Sequence, residues 1–178
     1  MRVEMHQNVA GFMAEARVML AGGVSEHSLQ AVGRLLASAS REPGFVHETD
    51  MRTLHGGDSG FTVLQTDPDG LTLMLARFSP AGETPVHDHN SWGVACVVKG
   101  RDRYRHWEAA DGGVRVLYEK DLGPGEFVTW LDPPRDIHSQ QGIDDDALEL
   151  VLFGKNVTLL PRRYFDPETG VVRTALPH

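Results

Sequence analysis

Apolar residues recur at helical spacing through the first forty positions and in short, separated runs thereafter. Val3, Val9, Phe12, Met13, Ala16, Met19 and Leu20 follow spacings near three and four, which predicts a helix over 3–21 stopped by Gly22-Gly23. A second helix is predicted over 26–40, with Leu29, Val32, Leu35 and Leu36 as its apolar stripe, Ser25 as its cap and Pro43-Gly44 beyond its end. The pair reads as a helical arm, residues 1–45, packed on the outside of a β-domain, residues 46–178. A dimerisation hairpin is the alternative, so a monomer and a homodimer both fit.

From Phe45 onward the pattern is that of an all-β sandwich or barrel. Strands are predicted over 61–65, 71–78, 92–99, 101–108, 114–118, 126–131, 147–153, 162–165 and 171–174. The segments between them carry turn chemistry. In Asp67-Pro68-Asp69-Gly70, proline presets the first φ and glycine accepts a positive one. Ser79-Pro80-Ala81-Gly82, Asp111-Gly112-Gly113, Gly123-Pro124-Gly125 and Asp166-Pro167-Glu168-Thr169-Gly170 mark further turns. Pro133-Pro134 donates no ladder hydrogen bond and predicts a loop just before His138.

The 178 residues suit one compact domain. A formal charge of −8, from 17 basic and 25 acidic side chains, argues against nucleic acid or an anionic membrane surface as a partner. No apolar run approaches the roughly 18 residues of a membrane span, and no basic-then-apolar leader opens the chain. The lone Cys96 forbids an internal disulfide, and the expected setting is a reducing cytoplasm.

The chemistry concentrates in Thr84-Pro85-Val86-His87-Asp88-His89-Asn90-Ser91-Trp92-Gly93. On a strand, residues i and i+2 share a face, so His87 and His89 point one way and Asp88 the other. His138, on a later strand, is the candidate to complete a three-nitrogen face around a divalent metal. Three neutral imidazoles leave the ion's charge uncompensated and coordination positions open, an arrangement that takes a small anionic substrate. Nitrogen donors favour iron, zinc, nickel or cobalt over magnesium or calcium; with Fe(2+) the anion prepares the metal for dioxygen, whereas Zn(2+) would activate water.

These residues resemble the cupin superfamily. Gly82, His87, His89 and Gly100 match its glycine-led His-x-His motif, and Gly125, Pro134 and His138 match its later motif, with Asp136 where a glycine is commoner. The resemblance implies a double-stranded β-helix (jelly-roll) barrel. Most cupins carry a glutamate ligand where this chain has Gly93. Its replacement resembles the thiol dioxygenases, the cysteine dioxygenase and 3-mercaptopropionate dioxygenase family, and implies Fe(2+) held by His87, His89 and His138, with Zn(2+) or Ni(2+) as alternatives.

Two features of that family are not matched. Glu149, Val151 and Phe153 stand where its Ser-His-Tyr set belongs, and its substrate-carboxylate arginine, expected near 61–63, is missing. Arg77, Arg103 or Arg52 is then the expected displaced cation and Tyr104 the displaced phenol, with Arg77 and Tyr104 as the substrate-positioning candidates. Trp92 and Trp130 read as packing, Cys96 as a buried apolar residue, and Glu149 as exposed or as a partner of a histidine ligand. The expected function is an Fe(2+) dioxygenase oxidising a small thiol to a sulfinate. The alternatives are a three-histidine dioxygenase cleaving a carbon–carbon bond of an enolisable or phenolic substrate, and a metal-containing metabolite-binding protein without turnover.

Overall fold

The structure, a computed structural model, describes residues 8–47 and 59–176. Helix α1 spans Val9–Leu20, with the Asn8 side chain accepting from Gly11 N at 2.9 Å; α2 spans Glu26–Ala39, opened by a reciprocal pair of hydrogen bonds between Ser25 and Ser28. These caps satisfy backbone N–H groups that have no partner inside a helix. Residues 3–7 of the first predicted helix lie outside the described residues. The second helix stops at Ala39, before Pro43-Gly44, and the chain leaves it through a turn in which Phe45 N donates to Glu42 O.

Eleven antiparallel strands follow: β1 Ser59–Thr66, β2 Thr72–Phe78, β3 Val86–His87, β4 Gly93–Lys99, β5 Asp102–Ala110, β6 Gly113–Leu122, β7 Phe127–Trp130, β8 His138–Gly142, β9 Ala147–Phe153, β10 Arg162–Phe165 and β11 Val172–Ala175. They form a five-stranded sheet, β1-β2-β9-β4-β7, and a six-stranded sheet, β11-β10-β3-β8-β5-β6. The chain crosses repeatedly from one to the other, as in a double-stranded β-helix, and the fold is a mainly β jelly-roll barrel with two helices ahead of it.

The two-residue period of a strand divides the core in two. Leu73, Leu75, Val94, Cys96, Leu150 and Leu152 face outward from the five-stranded sheet and bury against Phe12, Leu29, Val32 and Leu36 of the helices. Their neighbours Met74, Ala76, Ala95, Val97, Val151 and Phe153 face the barrel interior, with Tyr104, Leu122, Val128 and Trp130. The sheet is thus covered on both faces, and β9 is buried along its whole length. Cys96 is fully buried on the helix side, where burial pushes its thiol up to about 11. Trp92 belongs to the helix-side core and Trp130 to the interior.

Full burial of β9 overturns exposure as the reading of Glu149, which points into the barrel at 0% exposure. No histidine accounts for it either. Gln140 Nε2 donates to Glu149 Oε2 at 2.8 Å and to Asp102 Oδ2 at 3.0 Å. The remaining oxygens, Glu149 Oε1 and Asp102 Oδ1, have no other partner. A single proton shared between the two acids satisfies both, since two buried carboxylates side by side cannot both ionise. Burial, and then the facing acid, hold Glu149 well above the usual carboxyl range, and burial pushes Asp102 up to about 6.

Two predictions follow from this packing. A Cβ at Gly33 of α2 would run into the Phe127 ring of β7; Gly33→Ala is expected to lower stability by about 1–3 kcal/mol through overpacking, read by thermal or urea denaturation. The acid pair binds its protons more tightly folded than unfolded, so its contribution to stability falls as pH climbs from the ordinary carboxyl range near 4, first through about 6 as Asp102 ionises and then further as Glu149, held well above that range, gives up the shared proton. Glu149→Gln keeps the shape without needing the shared proton. Its melting temperature relative to the parent is expected to rise across that window, and a difference that stays constant with pH would rule out the shared proton.

Candidate metal centre

One row of residues crosses the six-stranded sheet. Tyr164 of β10 is opposite His87 of β3, His87 is opposite His138 of β8, and His138 is opposite His106 of β5. Directly opposed residues share a face, so the ladder itself brings His138 to the histidine strand. The ligand atoms of His87, His89 and His138 lie within 4.8 Å of one another, and all three residues are buried. His87 Nε2 is 3.2 Å from His89 Nε2, which is 3.3 Å from His138 Nε2.

Backbone carbonyls fix the tautomers. His87 Nδ1 donates to Pro85 O at 2.7 Å and His138 Nδ1 to Asp136 O at 3.1 Å, which leaves a lone pair on each Nε2. His89 Nε2 faces both lone pairs, while His89 Nδ1 is buried without a partner. Whichever nitrogen of His89 carries its proton, a buried nitrogen lone pair goes unmatched. A cation removes the conflict, and nitrogens held at about 2.0–2.2 Å from one ion stand roughly 3.0–3.5 Å apart. The donor set therefore fits a divalent transition metal. Burial keeps the imidazoles neutral: His87 is pulled down to about 4, and His89 and His138 fall well below the usual histidine range.

Asp136 explains its departure from glycine. Its Oδ2 accepts from the backbone N–H groups of His89, at 3.1 Å, and Asn90, at 2.9 Å. It thus clamps the turn after the histidine pair, where Asn90 takes a φ of 58°. Asp88, turned away from the histidines as its position predicts, accepts from Arg163 N at 2.8 Å and from Arg163 Nε at 2.6 Å. Among the described residues no carboxylate joins the histidines, and a side chain at Gly93 would collide with the Trp130 indole. The place of a fourth protein ligand is filled by an aromatic wall.

The histidines open onto a cavity of about 680 Å³. Phe61, Met74, Phe78, Val151 and Phe153 of the five-stranded sheet line one side; Gln140, Arg162 and Tyr164 of the six-stranded sheet stand with the histidines on the other. Arg162 is largely buried, its Nε has no hydrogen-bond partner among the described residues, and burial pulls its pKa down against the support of Tyr164. The Tyr164 ring stacks on His87 at 6.0 Å.

Of the cations and phenols among the described residues, Arg162 and Tyr164 line the cavity, whereas the expected Arg77 and Tyr104 do not. Arg77 has the strand parity of Leu73 and Leu75, which face the helices, and is not part of the cavity wall. Tyr104 is fully buried behind His138, with ring centroids 5.6 Å apart and its hydroxyl 3.4 Å from His106 Nδ1, so it packs the barrel and does not reach the cavity. Arg103 pairs with Asp121 at 3.1 Å in a half-exposed ladder, and Arg52 lies outside the described residues. A sequence signal for the cavity-lining pair is present: Arg162-x-Tyr164 on a strand obeys the same i, i+2 rule as His87-x-His89.

Metal analysis of protein purified without added metal checks the centre. The parent is expected to hold a stoichiometric transition metal. His138→Ala is expected to lose more affinity than the roughly 10–100-fold that removal of an outer hydrogen bond costs.

No family model matches the sequence, and no curated protein matches it. Among solved structures it is similar to an oxalate oxidase in complex with the substrate analogue glycolate, at 22% identity over 57% of this chain and 53% of that one, TM-score 0.48. It is also similar to a cupin-like protein from Thermotoga maritima, at 20% identity over 66% of this chain and 86% of that one, TM-score 0.48. An RmlC-like cupin protein from Ralstonia eutropha aligns at 17% identity over 68% of each chain, TM-score 0.49. The chain spans about half the length of the oxalate oxidase structure. At such identities and TM-scores these likenesses carry no argument about chemistry, which rests on the residues themselves.

Proposed function

We propose that this chain is an Fe(2+)-dependent dioxygenase of the thiol dioxygenase type, oxidising a carboxylate-bearing thiol to its sulfinate. The observation that carries the reading is the pairing, in the same cavity, of a three-imidazole face with no carboxylate among the described residues and the half-buried guanidinium of Arg162, whose Nε has no hydrogen-bond partner among them. A ferrous ion in the three imidazoles supplies open positions for a thiolate and for dioxygen. In the net reaction a thiol and dioxygen give a sulfinic acid: both oxygen atoms enter the product, and the electrons that reduce dioxygen come from sulfur, so no external reductant is needed.

The chain's own groups hold and orient the substrate. Arg162, with its Nε unmatched among the described residues, offers guanidinium N–H to the substrate carboxylate, a charge-assisted contact stronger than a neutral one. Tyr164 supports Arg162 through a side-chain hydrogen bond and presents a phenol beside His87. Phe153 and Trp130 exclude water from the far side of the histidines. A reducing cytoplasm, which keeps thiols reduced, is the setting this activity needs.

The apolar wall supports a second reading, a dioxygenase that cleaves an enolisable or phenolic carbon substrate, with an enolate in place of the thiolate. Oxygen consumption by iron-loaded protein separates the readings. Mercaptocarboxylates are expected to consume oxygen and yield sulfinate by mass spectrometry. Consumption with 1,3-diketones or hydroxyaryl ketones alone transfers the site to the second reading, and consumption with neither class makes it a binding protein. Arg162→Gln is expected to raise KM for a mercaptocarboxylate by about 30-fold or more, as loss of a buried charge contact costs about 2 kcal/mol or more, with little change for the neutral thiol of the same length.

A further inference from the structure

We infer that the substrate is an anion with a sizeable apolar body, an aryl or extended alkyl carboxylate, and not the short-chain thiol acid that the ligand set alone brings to mind. This rests on the proposed role of Arg162 as the anion anchor and deepens it by naming what the rest of the molecule must look like.

The two sheets divide the cavity between a polar and an apolar side. Every strand residue of its polar side belongs to the six-stranded sheet: His87 on β3, His138 and Gln140 on β8, Arg162 and Tyr164 on β10. The opposite wall comes from β1, β2, β7 and β9 and carries Phe61, Met74, Phe78, Trp130, Val151 and Phe153, with Ser59 as its one polar side chain among the described residues. Strand parity makes this wall continuous: Phe61 is opposite Ala76, and Ala76 is opposite Glu149, the acid whose charge is quenched below the cavity. No ionised side chain interrupts the apolar face.

Size points the same way. At about 680 Å³ the space lies in the middle of the roughly 300–1,000 Å³ range of pockets that bury a drug-sized ligand. A short-chain mercaptocarboxylate would meet the metal ligands and Arg162 and leave Phe61 and Phe78 facing water. A ligand with an aryl or longer alkyl group fills that space and removes the phenylalanine rings from water. Each methylene so buried strengthens binding by about three- to fourfold.

Gln140 adds a second polar feature to the wall. Both amide hydrogens are held by Asp102 and Glu149, so its carbonyl oxygen faces away from the acids. On the cavity side it is an acceptor, so a donor group on the ligand is tolerated there whereas a second carboxylate is not. The ligand class is therefore a monoanion.

Calorimetric titration of the purified protein with acetate, butyrate, hexanoate, octanoate and 3-phenylpropionate, before and after chelator treatment, tests this. Affinity is expected to climb about three- to fourfold per methylene until the cavity is filled, with 3-phenylpropionate far tighter than acetate and its neutral amide at least 30-fold weaker. Phe61→Ala and Phe78→Ala, both at half-buried positions, are expected to flatten the climb, whereas Arg162→Gln lowers every affinity and keeps the slope. An affinity that does not rise with apolar length, or absence of binding by the whole series, overturns the inference. Because no turnover is read, these outcomes are independent of whether any thiol consumes oxygen: a steep climb with no sulfinate from any thiol sinks the dioxygenase and leaves the ligand class standing.

Discussion

The register of a two-residue strand sets everything at the cavity. β3 contributes only Val86 and His87 to the ladder, yet Tyr164, His138 and, through His138, His106 are aligned by it. A slip of one residue would turn His87 to the outside and bring Asp88 in. So short a ladder holds its register poorly by backbone bonds alone. Side chains supply the rest: Asp88 grips Arg163 on one side, Asp136 holds the backbone of His89 and Asn90 on the other, and Thr84 N donates to Gln140 O. The polar residues around the histidines are thus chiefly devices that fix where the backbone lies.

The same clasp explains the pair of adjacent arginines. Arg163 faces outward and is satisfied by Asp88; Arg162, on the other face of β10, meets the cavity with its Nε unmatched. Strand alternation turns one arginine to the Asp88 clasp and its neighbour to the cavity. The backbone N–H of Arg163 also donates to Asp88, so the clasp fixes β10 itself and with it the direction in which Arg162 and Tyr164 extend. The bond that holds the histidine strand therefore also delivers the cation.

Most of the architecture was legible in the chain because its signals are local. The helix caps at Ser25 and the strand boundaries at 71–78, 92–99 and 147–153 follow from residues close in sequence, and so does the common face of His87 and His89. What escaped was non-local. Glu149 looked exposable until the helices covered the outer face of β9 and the barrel closed over the inner one. Tyr104 lay on a strand of suitable parity, but the face it shares with the histidines also packs Trp130, so its hydroxyl points at His106. The place of Arg162 in the cavity wall was invisible because the pairing of β10 with β3 brings together positions more than seventy residues apart, Tyr164 with His87, a contact that no sequence periodicity encodes.

The balance of charge in the barrel joins the acid pair to the cavity. A divalent ion on the neutral imidazoles, together with the half-buried guanidinium of Arg162, would make the interior cationic, although the chain as a whole carries −8. Ionised Asp102 and Glu149 beneath Gln140 would be the natural counter-charges, and at the effective dielectric of a protein interior they would offset much of the attraction offered to an incoming anion. The shared proton removes one of those charges, and the hydrogen bonds from Gln140 spread the other over two residues. With an ion in the three histidines, burial of the acids would leave the positive potential of the cavity uncompensated, and the compensating charge would arrive with the ligand proposed above.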